Sequence, residues 1–258
     1  AEIALWSEEL ENGYGFLLLR GLDAQKYSEA QMATIYYLMG LHMGLPVTQN
    51  PKGELLVAVQ NVGDKQNKST RVYQTNAYLP YHTDLSDVVG LLSIHKAKEG
   101  GLSSLVSAAA IYNEVLEKHP EFLSYYYLPT YCDHLGDKDP VLTPIFSFFK
   151  GKLSCRYLRA YIELGHERKG IAISQVEKEA MDIMDSLIHD PSMRLDMMME
   201  PGDIQFCNNY TVMHSRSAFE DDEDPSKRRK LLRLWLKMPN ARELSPDFPG
   251  RNGIPKDL

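Results

Sequence analysis

Tyr81-His82-Thr83-Asp84 holds the one His-x-Asp in the chain, and a metal centre built on it would constrain the fold more than any other feature. In extended backbone, residues i and i+2 project to the same side, so a His nitrogen and an Asp oxygen from one strand or strand end can converge on a single ion. Alone the pattern is weak, because its ordinary reading is a polar strand end with an exposed imidazole. A centre needs a third ligand from elsewhere. The candidate is His214, in Met213-His214-Ser215-Arg216, and 214 − 82 = 132 residues separate it from His82. A fold that joins them must carry the chain across a core and back.

The apolar pattern supplies such a core. Residues 4–12 read as a helix, Phe16-Leu17-Leu18-Leu19 as a short buried strand closed by Arg20-Gly21, and Ser28 as the cap of a helix whose Met32, Ile35, Tyr36, Met39 and Leu41 recur at near-helical spacing. Strands are predicted at 55–59, 88–94, 104–106, 194–199, 203–207 and 229–237, with a turn at Gly100-Gly101. Lys150-Gly151 is expected to join 141–149 and 152–158 as a hairpin. Helices fall at about 107–127 and 174–189, the second opened by the capping-box pattern Ser174-Gln175-Val176-Glu177. Strands and helices do not alternate regularly, which excludes a doubly wound sheet. The expected fold is mainly β with flanking helices, a double-stranded β-helix of the jelly-roll kind, in a single domain over 1–258 with helical insertions at about 107–127 and 174–189. The polar, lysine-bearing stretch before the metal motif makes 61–80 a candidate lid.

Bulk properties limit the partners. With 43% hydrophobic and 24% charged residues, the 258-residue chain is of globular composition and long enough for one large core. Acidic residues outnumber basic ones 35 to 28, against a general nucleic-acid surface. No apolar run is long enough to span a bilayer and nothing resembles a signal peptide, so a cytoplasmic protein acting on a small molecule is expected. Cys132, Cys155 and Cys207 are isolated, and are expected to be reduced and buried.

Two His and one carboxylate on one octahedral face leave three positions open, the arrangement by which iron(II) takes a chelating 2-oxo acid and dioxygen. Near the C-terminus, Pro201-Gly202-Asp203-Ile204-Gln205-Phe206 launches an apolar strand, Asn208-Asn209-Tyr210 ends it, and His214 follows. Beyond lies Arg229-Lys230-Leu231-Leu232-Arg233, in which Arg229, Leu231 and Arg233 share one strand face by period 2. A guanidinium there suits a bidentate carboxylate.

Over nearly its whole length, from Gly15-Phe16 through Trp235, the chain resembles the TauD/TfdA group of Fe(II)/2-oxoglutarate-dependent oxygenases. The resemblance rests on His82-x-Asp84, on Gly202-Asp203-Ile204-Gln205-Phe206-Cys207-Asn208-Asn209 before His214, on Gly100-Gly101-Leu102-Ser103, and on Arg229-x-x-x-Arg233. It implies that His82, Asp84 and His214 hold Fe(II). It further implies that Ser103 and Arg229 hold the distal carboxylate of 2-oxoglutarate, that Arg233 lines the site, and that O2 and the oxo acid are consumed to give succinate and CO2. Ser103 stands where the taurine enzyme has Thr, which keeps the hydroxyl. Asp84 leaves no room for the halide of the halogenase variants. The taurine enzyme's sulfonate pocket has no recognisable counterpart, so the expected substrate is defined only as small and polar: an amino acid, a sulfonate or a natural-product intermediate.

Tyr81, Thr83 and Asp87 are candidates for touching substrate or orienting a ligand. Arg216 is read as pairing with an acidic substrate or, by slight preference, with a structural carboxylate, Met197-Met198-Met199 as strand packing, and the other His residues as ordinary. The competing readings are a jelly-roll binding module without turnover, which has no need of three ligands and two arginines together, and a zinc hydrolase, which leaves Ser103 and the arginines unexplained.

Overall fold

Strand parity organises the molecule. The computed structural model describes residues 2–62, 74–134, 138–248, 250, 253 and 254. Its principal sheet has the order Phe16–Leu19, Ile204–Asn208, Val88–His95, Lys230–Lys237, Leu45–Pro46, with Leu56–Gln60 also paired to Lys230–Lys237. A second sheet has the order Arg194–Met197, Ser103–Ser107, Val212–Arg216, Leu79–His82. Every strand pairing in both is antiparallel.

Leu232, Leu234 and Leu236 look outward with Val88, Leu92, Ile94, Ile204 and Phe206, and pack on Leu10 of the helix Glu2–Asn12 and on Met32, Tyr36 and Met43 of the helix Glu29–Met43. Burying each such side chain contributes about 1.5–3 kcal/mol. The fit is close: a Cβ on Gly90 would stand 2.4 Å from the Tyr36 hydroxyl and 2.6 Å from the Phe206 ring. Residues of opposite parity look inward. Val89, Cys207 and Trp235 of the first sheet meet Leu105 and Val212 of the second. On the second sheet's outer face, Tyr81, Val106 and Met213 pack with Ile111 and Val115 of Ala108–Lys118 and with Met181, Met184 and Ile188 of Gln175–His189. With both faces of each sheet covered, its strands read as nearly continuous apolar runs.

The jelly-roll expectation therefore holds, as do the cap at Ser28, which forms a full capping box with Gln31, and the capping box at Ser174. Two local readings change. Val141–Thr143 leaves the expected hairpin and pairs with Thr130–Cys132, because Pro144 interrupts the run. The hairpin that forms is Phe146–Phe149 with Lys152–Cys155, across Lys150 and Gly151 with φ of 47° and 80°. The helix Arg159–Lys169 was not anticipated: Leu158 gives it no side-chain cap, and its stop is Gly170 in the left-handed region. The three cysteines are buried and in no disulfide. Of the candidate lid, 63–73 lie outside the described residues. No helix among the described residues is long and apolar enough to cross a membrane.

Candidate metal and anion site

The strand Leu79–His82 ends on His82 and pairs His82 with His214 of the neighbouring strand, which brings the two rings to 4.2 Å between centroids. Asp84 lies just beyond the strand end. Its Oδ1 is 3.8 Å from His82 Nε2, and its Oδ2 is 3.6 Å from His214 Nε2. The three ligand atoms lie within 4.8 Å of one another. Imidazole nitrogens and carboxylate oxygens sit roughly 2.0–2.2 Å from a first-row divalent ion, so donors sharing one stand about 3–4 Å apart. These separations are too long for hydrogen bonds and suited to an ion between them.

The chemistry of each donor agrees. His82 Nδ1 is 2.8 Å from the Pro80 carbonyl, which can only accept, so Nδ1 carries the proton and Nε2 presents its lone pair inward. Burial and nearby His214 push the His82 imidazole down to about 4, leaving it neutral at pH 7. Burial raises the Asp84 carboxyl, but Arg233, whose Nη1 is 3.7 Å from Oδ1, and the two imidazoles outweigh it and hold the group well below the usual carboxylate range. Asp84 Oδ2 is buried without a hydrogen-bond partner, as an atom reserved for an ion would be.

The Asp84 turn is held by a residue whose role was not read from the sequence. Asn209 Oδ1 accepts from the Asp84 backbone N–H at 3.0 Å, and its Nδ2 donates to the Ser86 carbonyl at 3.0 Å. The Asn pair thus closes the strand and aims the carboxylate.

The triad opens into a cavity between the sheets, lined by Val59, Leu91, Gln205 and Leu231 beside Ser103, Arg216, Arg229 and Arg233. All six predicted site residues line it. Arg229 precedes the last strand and is 5% exposed, with Nη1 buried and unbonded. Burial and neighbouring Arg216 lower its guanidinium to about 9. Gly101 makes room for it: at φ +74°, a Cβ there would lie 3.1 Å from Arg229 Nε. Arg233 is braced by Gln49, whose Oε1 accepts from Nε at 2.7 Å and whose Nε2 returns to the Arg233 carbonyl at 2.8 Å.

Other candidates stand apart. Tyr81 turns outward, its hydroxyl bonded to Ser104. Asp87 accepts from the Tyr210 hydroxyl at 2.9 Å and from the Met238 N–H at 2.8 Å, a structural role. Arg216 has no carboxylate within 4.0 Å among the described residues, contrary to the structural-pair reading, and it reaches the cavity. Gln205, Gln49 and Asn209 were overlooked; a polar residue inside the apolar run Ile204-Gln205-Phe206-Cys207 was the available signal for Gln205. His119-Pro120-Glu121, the other His with a carboxylate two residues on, sits at the end of Ala108–Lys118, away from the triad.

Comparisons with known proteins agree. The family described as taurine catabolism dioxygenase TauD, TfdA family, matches residues 1–235. FR-33289 synthase of Streptomyces rubellomurinus is 36% identical over 251 residues, covering 93% of this chain and 74% of that protein. The taurine hydroxylase-like protein SAT17 of Stachybotrys chartarum is 26% identical over 246 residues, covering 90% and 63%. Among solved structures, asparagine oxygenase with Fe(II), 2S,3S-3-hydroxyasparagine and succinate superposes with a TM-score of 0.73 at 15% identity, covering 91% of this chain and 78% of that one. The non-haem iron oxygenase OrfP with Fe and alpha-ketoglutaric acid gives 0.68 at 15% identity, covering 92% and 79%. At such identity these two establish the fold.

Proposed function

The chain belongs to the TauD/TfdA family of dioxygenases, and from that membership we propose the part each residue of its cavity takes in the reaction. It is a non-haem Fe(II)- and 2-oxoglutarate-dependent oxygenase acting on a small molecule. His82, Asp84 and His214 hold Fe(II). When bound, the metal supplies the redox chemistry by which 2-oxoglutarate and O2 become succinate and CO2 while an unactivated C–H bond of the substrate is oxidised. The observation that carries this reading is a buried, converging His-Asp-His set sharing one cavity with an unpaired buried arginine.

Arg229 and Ser103 hold the distal carboxylate of the oxo acid. Arg233, fixed by Gln49, keeps Asp84 ionised and presents a cationic wall to the oxo acid and substrate. Asn209 keeps the Asp84 turn in register. Val59, Leu91 and Leu231 make the wall apolar and limit water near the reacting carbon. The substrate is small and polar, of the amino-acid, sulfonate or natural-product kind; asparagine oxygenase, of the same fold, supports the amino-acid end of that range.

Protein supplied with Fe(II), O2 and 2-oxoglutarate is expected to form succinate, and faster once a true substrate is added. Metal-dependent turnover of a substrate without any 2-oxoglutarate would overturn the assignment in favour of a hydrolase. Gly101→Ala is a local check. It combines backbone strain of about 1–3 kcal/mol with a methyl pressed against Arg229. KM for 2-oxoglutarate is expected to rise about tenfold while Fe(II) affinity stays within twofold; an unchanged KM would mean that Arg229 does not bind the oxo acid from this position.

A further inference from the structure

The arginine that follows the distal histidine is not needed by the function proposed above, yet the fold aims it at the oxo-acid end of the cavity. Arg216 is 4% exposed and shares a strand face with His214 by period 2. In the register of the second sheet it lies directly opposite Ser103. Its guanidinium lies over the Phe219 ring with Cζ 4.6 Å from the centroid, and Arg229 approaches the same ring at 5.2 Å. Two cationic forks therefore meet beside one serine hydroxyl, and each keeps a buried Nη1 with no hydrogen-bond partner.

Neither guanidinium has a carboxylate within 4.0 Å among the described residues. Nη2 of Arg216 donates to the carbonyls of Thr75, at 3.0 Å, and Ala77, and Nε donates to the Ser217 carbonyl at 3.3 Å, which leaves Nη1 for a ligand. The carboxylate that acts on both guanidiniums is Asp221, beyond ion-pair distance, and it does not offset their burial; a bound anion between them lowers that cost. A carboxylate offers about four lone-pair positions on two oxygens, enough for an Nη1 from each guanidinium and a hydroxyl.

We propose that Arg216 and Arg229 form a two-arginine clamp, completed by Ser103, on the distal carboxylate of the 2-oxo acid. The clamp rests on the reading of the protein as a 2-oxoglutarate enzyme and adds a second cationic determinant to it. Among the residues lining the cavity Asp84 is the one carboxylate beside Arg216, Arg229 and Arg233, so a dianionic oxo acid adds negative charge where the lining is in positive excess. Arg216 is a specificity-determining residue: it selects oxo acids that end in a carboxylate. Through Thr75 and Ala77 it also ties that end of the cavity to the segment leading into the metal-bearing strand.

The test is anaerobic calorimetry on the Fe(II)-loaded protein with two oxo acids of equal chain length, 2-oxoglutarate and 2-oxopentanoate, the second ending in a methyl group. The wild-type protein is expected to prefer 2-oxoglutarate, and Arg216→Gln to lose at least tenfold of that preference with 2-oxopentanoate affinity within twofold of wild type. A purely structural Arg216, acting only on the Thr75 and Ala77 carbonyls, would weaken both ligands equally; a preference that survives in Arg216→Gln overturns the clamp. If that variant does not fold, Arg216→Lys, which keeps the charge but loses the fork, is expected to lose threefold or more, and an unchanged preference again overturns the proposal. A wild-type protein with no preference would overturn the 2-oxoglutarate reading itself as well as the clamp.

Discussion

His214→Ala is expected to lower turnover by about three orders of magnitude or more while the metal-free protein melts within a few degrees of wild type. The activity loss follows from the ligand count. With one of three protein donors removed, His82 and Asp84 retain a weaker and less oriented ion, and about 4 kcal/mol of lost transition-state stabilisation corresponds to a thousandfold in rate. The modest effect on stability follows from what His214 does without metal. Its Nδ1 is buried without a partner, and its Nε2 stands 3.6 Å from Asp84, beyond hydrogen-bond length. Removing the ring deletes no hydrogen bond and leaves Asp84 with Arg233 and the Asn209 bracket. Succinate formation and a thermal melt on the same preparation check both halves; a variant with near wild-type turnover would remove His214 from the metal centre.

Arg229→Met is expected to raise KM for 2-oxoglutarate by about 10²–10³ and, at the same time, to raise the melting temperature of the ligand-free protein. Truncating one partner of a buried hydrogen-bonded charge pair costs about 2–5 kcal/mol of binding. The opposite sign in the empty protein arises because Arg229 is there a buried cation whose burial and neighbour Arg216 outweigh the attraction of Asp221, and methionine fills the space without a charge. Thermal melts of the two ligand-free proteins at pH 7 test this; a methionine variant that melts well below wild type would show that Arg229 serves the fold.

Much of the site was legible because its residues break local rules. A His-x-Asp at a strand end and arginines on an apolar strand conflict with ordinary core patterning, and such conflicts concentrate at functional sites; Ser103 stood out only through the family resemblance. Arg229, Leu231 and Arg233 do line one cavity, as period 2 requires. What escaped depends on register between distant strands. That Arg216 lies opposite Ser103, 216 − 103 = 113 residues away, follows from the pairing of Val212–Arg216 with Ser103–Ser107, and no local pattern states it. The Asn209 bracket on Asp84 escaped for the same reason. The helix Arg159–Lys169 escaped because it has no side-chain cap at its start and few buried residues, so tertiary packing and the Arg159 ion pairs with Glu163, Asp182 and Asp185 set it.

In the function proposed, one cavity joins a three-residue Fe(II) site to a site for the 2-oxo acid. Anaerobic titration of the metal-free protein with Fe(II) and then 2-oxoglutarate, recording the visible charge-transfer band of a chelated 2-oxo acid, tests both sites at once. A band is expected that saturates at one iron and one oxo acid per chain, absent in His214→Ala and restored in Arg229→Met only at much higher oxo-acid concentration. Iron that binds tightly to the wild-type protein while 2-oxoglutarate produces no band would contradict the proposed function.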